Sequence, residues 1–169
     1  NKLPNIHFYI IGSKPPKEIQ NLANEHITVT GFISDKELSE YYSNCKLVVA
    51  PLRYGAGVKG KIVDALYHAM PVVTTSVGAE GIHGASEIMK IADESQTFAN
   101  EVIELYNNQE LLERLSKKSL ENCKEYFSEL YAKKQMANVI NEFKGAEWLI
   151  SFYVGEMELD YGQLVEHSC

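Results

Sequence analysis

The stretch richest in groups that could do chemistry is PLRYGAGVKGKIVDAL, residues 51–66, which runs from the end of a predicted strand into a predicted helix. Gly55, Gly57 and Gly60 allow positive φ and let the backbone approach a ligand closely, and the following helix offers free N–H groups at the positive end of its dipole. Such a place suits a phosphate or diphosphate. Lys59 and Lys61 strengthen that reading, because cations at a helix N-terminus are mildly unfavourable unless an anion offsets them, and with Arg53 they form a small local concentration of positive charge beside the loop. A flexible turn with solvated lysines accounts for the same residues. Asp64, placed on the first turn three residues after Lys61, could accept bonds from both hydroxyls of a ribose whose phosphates occupy the loop. An ordinary helix-start acid would look the same. His68, four residues further on, reads as a packing or solvated residue before it reads as a base.

Neither G-x-x-x-x-G-K-[ST] nor a complete dinucleotide fingerprint is present: Ile62 follows Gly60-Lys61, and the loop leaves a middle strand with no acidic partner downstream. Nucleoside triphosphate hydrolysis is therefore disfavoured. A second loop, SVGAEGI at 76–82, follows the next strand, with Thr74, Thr75 and Ser76 offering hydroxyls at the strand end and Glu80 projecting toward the same crevice. Its alternative is a plain connection with a solvated Glu80.

These loops need strands and helices to hold them. HFYII at 7–11 predicts a strand ending at Gly12, and Pro15-Pro16 opens a short helix reaching about residue 25. ITVT at 27–30 predicts the next strand, closed by Gly31. Ser34 with Glu37 has capping-box spacing for a helix through about residue 42. Strands follow at 46–51, 71–75 and 88–91, with Ile62, Ala65, Leu66 and Ala69 at helical spacing between the first two. Asp93, Asn108 and Ser128 stand as N-caps ahead of helices at about 94–106, 109–125 and 129–143. Apolar strands alternating with helices predict an α/β fold, a parallel sheet covered on both faces, with its ligand at the carboxyl ends of the strands.

The whole chain of 169 residues has 45% apolar and 23% charged residues, which excludes disorder, collagen-like repeats and coiled coil. Its formal charge is −7, but the last 25 residues hold five acids and no Lys or Arg, which leaves −2 over residues 1–144. A broad basic surface for nucleic acid is not expected. Residues 1–144 read as one domain and 145–169 as an acidic tail whose apolar cluster, Trp148 to Tyr153, is expected to dock as a helix. Cys45, Cys123 and Cys169 are odd in number and widely spaced, which fits a reducing compartment better than a disulfide framework or a zinc site. No apolar run approaches the roughly 20 residues needed to cross a bilayer.

Taken in order, four segments resemble the C-terminal, nucleotide-sugar-binding half of GT-B glycosyltransferases of the group 1 (family 4) type: FYIIG at 8–12, VTGFISD at 29–35, APLRYGAGVKGKIVDAL at 50–66 and MPVVTTSVGAEGI at 70–82. The resemblance covers residues 5–127. It implies a Rossmann-like domain forming one half of a GT-B fold, and transfer from a UDP- or GDP-sugar donor to a glycan, lipid or protein with retention at the anomeric carbon, without a metal or other cofactor. It also implies a partner half, the acceptor-binding N-terminal domain, and a first strand and helix ahead of FYIIG, none of them in this chain. Localisation is expected to be cytoplasmic, at the inner face of the membrane, with any peripheral membrane association made through that other half. In this family a Glu, seven residues and a second Glu mark the donor site. The second position falls on Asp64, which carries over ribose binding; the first falls on Ala56, which has no carboxylate. Runs of the R-x-G-A-G-V-K-G-K type look like a variant of the family. There Gly55, Ala56 and Gly57 would present N–H groups to the diphosphate, with charge from Lys59 or Lys61, and Gly31, Phe32 and Ile33 would hold the base. The alternatives are a non-catalytic interaction module that has lost the first acid, and a sugar-nucleotide epimerase of the same architecture.

Overall fold

A computed structural model describes residue 3 and residues 6–142. In chain order the elements are β1 (Phe8–Ile11), α1 (Lys17–Gln20), β2 (Ile27–Gly31), α2 (Asp35–Asn44), β3 (Val48–Ala50), α3 (Gly60–Tyr67), β4 (Val72–Thr74), α4 (Ser76–Ala79), α5 (Ala85–Ile88), β5 (Lys90–Ile91), α6 (Ser95–Asn107), α7 (Gln109–Tyr126) and α8 (Glu129–Glu142). The alternation expected from the sequence is present and every strand pair is parallel. The strands form two sheets rather than one: β1 pairs β2, and β3, β4 and β5 lie in that order. The two sheets differ in burial. Every fully buried residue lies between Ile62 and Cys123, whereas β1 and β2 hold only half-buried and exposed positions, with Phe8 and Tyr9 among the exposed aromatics.

β4 is the axis of the core. Successive residues of a strand face opposite ways, so Val72 joins Ile62, Ala65, Leu66, Met70, Ile88, Met89 and Cys123 on one face. Val73 joins Leu105, Leu111, Leu112 and Leu115 on the other. Helices thus cover both faces of this sheet, as the near-continuous apolar strand predicts. Cys45 and Cys123 are free thiols, each pushed above its ordinary pKa by burial.

Several boundaries differ from expectation. The helix after Pro16 is one turn, Lys17–Gln20, and the predicted strand at 88–91 shortens to Lys90–Ile91 because α5 takes Ala85–Ile88. The capping box is made in full: Glu37 N–H donates to Ser34 Oγ at 3.3 Å and Ser34 N–H to Glu37 Oε2 at 2.8 Å. Asn108 caps α7, its Oδ1 accepting from Leu111 N–H at 3.0 Å, and Ser128 Oγ accepts from Tyr131 N–H at 3.2 Å. Asp93 caps nothing. The N-cap of α6 is Glu94, without a side-chain bond, and Asp93 is held elsewhere.

At its other end α3 closes with Met70 N–H bonded to Ala65 O and Ala69 N–H to Leu66 O, which places Ala69 in the left-handed region at φ 57. A Cβ is disfavoured there. Ala69→Gly is expected to stabilise the protein by about 1 kcal/mol, measured by thermal unfolding; a loss of stability would contradict this reading of the cap.

The described residues up to Ala132 form one compact unit, and those from Lys133 on belong to a second. The tail from residue 145, with the expected docking segment at 148–153 and Cys169, lies outside the described residues.

Candidate functional site

Beyond β3 the chain runs irregularly into α3, with Gly55 at φ 129 and Gly57 at φ 68 making the turn that only glycine adopts at low cost. Gly60 does not share this role: it is the first helical residue, and its φ is not positive. From Arg53 to Lys61, no backbone N–H donates to another protein atom among the described residues. Lys59 is the N-cap of α3 and makes no side-chain cap bond, and the first turn carries no acid. The positive end of this eight-residue helix is therefore unsatisfied by the protein itself. Arg53 and Lys61 are exposed and make no ion pair among the described residues.

Lys59 is engaged differently. Its side chain is 12% exposed, and Nζ sits 3.1 Å from Glu80 Oε2 while also donating to Gly57 O. The two loops are thus fastened to each other. Val58 reinforces the contact, since a Cβ on Gly81, itself at φ 74, would lie 2.8 Å from Val58 Cγ2. Glu80 does approach the glycine loop, as expected, and Lys59 is not a free cation.

Asp64 is the fifth residue of α3, so it lies on the second turn and not the first. It makes no ion pair with Lys61 among the described residues. Tyr42 Oη instead donates to Asp64 Oδ2 at 3.0 Å. Burial, and then the adjacent Asp64 carboxylate, push the Tyr42 phenol well above its ordinary pKa, so it stays a donor. The His68 ring packs at a tilt against Tyr42 with centroids 4.8 Å apart, and its Nδ1 lies 2.9 Å from Asp64 O and 3.6 Å from Asp64 Oδ1. Tyr42 is the site residue that sequence reasoning missed. The capping box sets where α2 begins and hence where Tyr42 falls on it, but its contact across 22 residues to Asp64 is tertiary.

The three hydroxyls at the end of β4 are consumed internally rather than offered to a ligand. Thr74 Oγ1 donates to Ala50 O at 2.9 Å, Thr75 Oγ1 to Leu52 O at 2.6 Å, and Ser76 Oγ to Asp93 Oδ2 at 2.6 Å. Thr75 Oγ1 also accepts from Gly78 N–H at 3.2 Å, capping α4. They brace β3 and β4 where the two loops leave them.

Asp93 Oδ1 accepts from Ser76 N–H at 2.8 Å, and the two Ser76 bonds hold its carboxyl below the ordinary aspartate range. A carboxyl depressed in the folded state stabilises above its unfolded pKa, and that contribution is lost as pH falls through the folded value. The advantage of wild type over Asp93→Asn in thermal unfolding is therefore expected at neutral pH and expected to shrink below the ordinary aspartate range. A constant difference down to acid pH would refute the assignment.

Gly31, at φ 75, with half-buried Ile33 and with Phe32 80% exposed, forms a turn at the end of β2. It shares no hydrogen bond with the 51–61 loop among the described residues. A separate cavity of about 490 Å³ is lined by Gly81, Ile82, His83, Tyr126, Phe127 and Tyr131, where His83 stacks on Tyr126 at 4.2 Å. Among the described residues no three His, Cys, Asp or Glu side chains group to hold a metal, and no helix is long and apolar enough to cross a membrane.

Known proteins share this fold. The fold is that of sucrose-phosphate synthase from Thermosynechococcus elongatus (TM-score 0.68, 18% identity), matched over 82% of this chain and 39% of that one. It is equally that of HepE from Anabaena, solved in complex with UDP (TM-score 0.66, 15% identity, 82% of this chain and 42% of that one). In sequence, a protein of Klebsiella pneumoniae described as an uncharacterized 44.6 kDa protein in the cps region is 40% identical over 78 residues, 44% of this chain and 20% of that protein. The chain thus spans a fifth of this relative and about two-fifths of those two structures. The family profile described as glycosyl transferases group 1 matches residues 1–108. The matched region contains both loops, α3 and Tyr42, and with it the chain belongs to the group 1 glycosyl transferase family.

Proposed function

We propose that this chain is the donor-binding half of a retaining glycosyltransferase, which takes a sugar from a UDP- or GDP-type nucleotide sugar to a glycan, lipid or protein acceptor. The observation that carries it is the run of unsatisfied N–H groups from Arg53 to Lys61 at the uncapped start of α3, the helix that also presents Asp64. Backbone N–H groups of Gly55, Ala56 and Gly57 and the α3 N-terminus bind the diphosphate. Arg53 and Lys61 add charge that stabilises the leaving nucleoside diphosphate as the glycosidic bond breaks. Asp64, oriented by Tyr42, accepts from the ribose hydroxyls. The Gly31-Phe32-Ile33 turn holds the base through backbone contacts. Bound UDP in HepE, and in the TarM protein of S. aureus, supports a nucleotide ligand. The cps-region relative supports a polysaccharide product; in this reading the product is made at the cytoplasmic face of the membrane, with the acceptor held by an N-terminal domain.

The charge comes from protein groups, so no metal takes part in this reading. Titration of UDP- and GDP-sugars into the two-domain protein is expected to shift the amide resonances of residues 55–61 and Asp64, unchanged by EDTA. Silence at those amides would sink the reading, and an EDTA-sensitive response would remove its metal-free part.

A further inference from the structure

Glu80 Oε2 is pinned by Lys59 Nζ at 3.1 Å, while its Oε1 has no partner among the described residues and its side chain is 53% exposed. Lys59, nearly buried, also holds Gly57 O, and its Cε lies 3.1 Å from where a Cβ on Gly55 would stand. The same ammonium therefore fixes the Gly55–Gly57 turn and sets a carboxylate beside it. Val58 lies directly against Gly81, so the two loops also meet there. At the turn itself Ala56 offers no polar side-chain atom, and the Glu80 carboxylate on the opposite loop is the side-chain acceptor that Lys59 holds beside it. A carboxylate accepts hydrogen bonds and repels phosphate. The ligand that fits both features places an anionic group on the free N–H groups and a polyhydroxylated group against Glu80.

We propose that Glu80 is the residue that grips the sugar hydroxyls of the donor and determines which sugar is accepted, with Lys59 as the residue that positions it. This rests on the donor-binding reading above, which assigns the diphosphate to the 55–61 loop. The free Oε1 accepts from one or two sugar hydroxyls, and the Lys59 bridge prevents the carboxylate from turning out to solvent.

The test is calorimetric binding of UDP, UDP-glucose, GDP and GDP-mannose to the full-length protein and its variants. The expected result for Glu80→Ala is a nucleoside diphosphate affinity within about twofold of wild type and a loss of about tenfold for the matching sugar nucleotide, the scale of a hydrogen bond to a charged group. Lys59→Gln is expected to lose the same sugar-specific increment, and Lys59→Arg to restore it. An unchanged ratio of sugar-nucleotide to diphosphate affinity in Glu80→Ala would overturn the proposal. So would a tighter diphosphate with that ratio unchanged, which would make Glu80 only a competitor for Lys59. Wild-type protein that binds neither UDP nor GDP would remove the donor reading itself, and with it the role of Glu80.

Discussion

Asp64→Ala is expected to weaken UDP or GDP binding by about 10- to 100-fold, the loss of one or two hydrogen bonds to a charged acceptor. The carboxylate is half-exposed, so removing it leaves no buried charge and the fold should survive. Its orientation comes from Tyr42 Oη at 3.0 Å, with the His68 ring packed at a tilt against that ring. Tyr42→Phe removes this bond and keeps the ring, so its expected cost is smaller, below about tenfold, the scale of one net hydrogen bond. Calorimetric titration of the full-length protein checks both. An Asp64→Ala protein that unfolds normally and binds within twofold of wild type would refute ribose recognition by this residue.

Gly78→Ala is expected to be the most damaging small substitution around the site. Gly78 is buried on α4, within the second loop, and an added Cβ would overlap Thr74 Oγ1 and come within 3.0 Å of Ile62 Cδ1. Thr74 cannot give way without releasing its bond to Ala50 O, since the threonine is fully buried on the central strand. Overpacking and a stranded carbonyl together are expected to cost about 3 kcal/mol or more. That corresponds to a melting temperature about 6–12 °C lower for a domain of this size. Gly60→Ala is the control: nothing lies within 4 Å of its Cβ position, and the residue opens a helix. It should change stability by no more than about 0.5 kcal/mol. Equal melting temperatures for the two variants would show that the contact at Gly78 relaxes freely.

Local features were readable in the residues because their causes are local. The Ser34–Glu37 box, the Asn108 cap, the helical spacing of Ile62, Ala65 and Leu66 and the Gly55–Gly57 turn all rest on interactions within a few residues. The misreadings involve polar side chains with two available fates. Asp93 has the composition of an N-cap, yet its carboxyl reaches 17 residues back to Ser76, because β4 and β5 pair in parallel and bring their carboxyl ends together. Thr74 and Thr75 looked like ligand hydroxyls, yet each closes a bond to the end of the neighbouring strand. Lys59 looked like a free cation, and Glu80 across the crevice claims it.

By itself, then, the sequence determined the alternation of strands and helices, the glycine loop with its run of N–H groups, and the family, because periodicity, turn chemistry and motif order are properties of neighbouring residues. Only the tertiary structure decided which polar groups are left over for a ligand. Several side chains that could have faced a ligand are taken up by groups the fold brings beside them, and those partners lie 17 to 24 residues away: Tyr42 for Asp64, Glu80 for Lys59, Ala50 for Thr74 and Asp93 for Ser76.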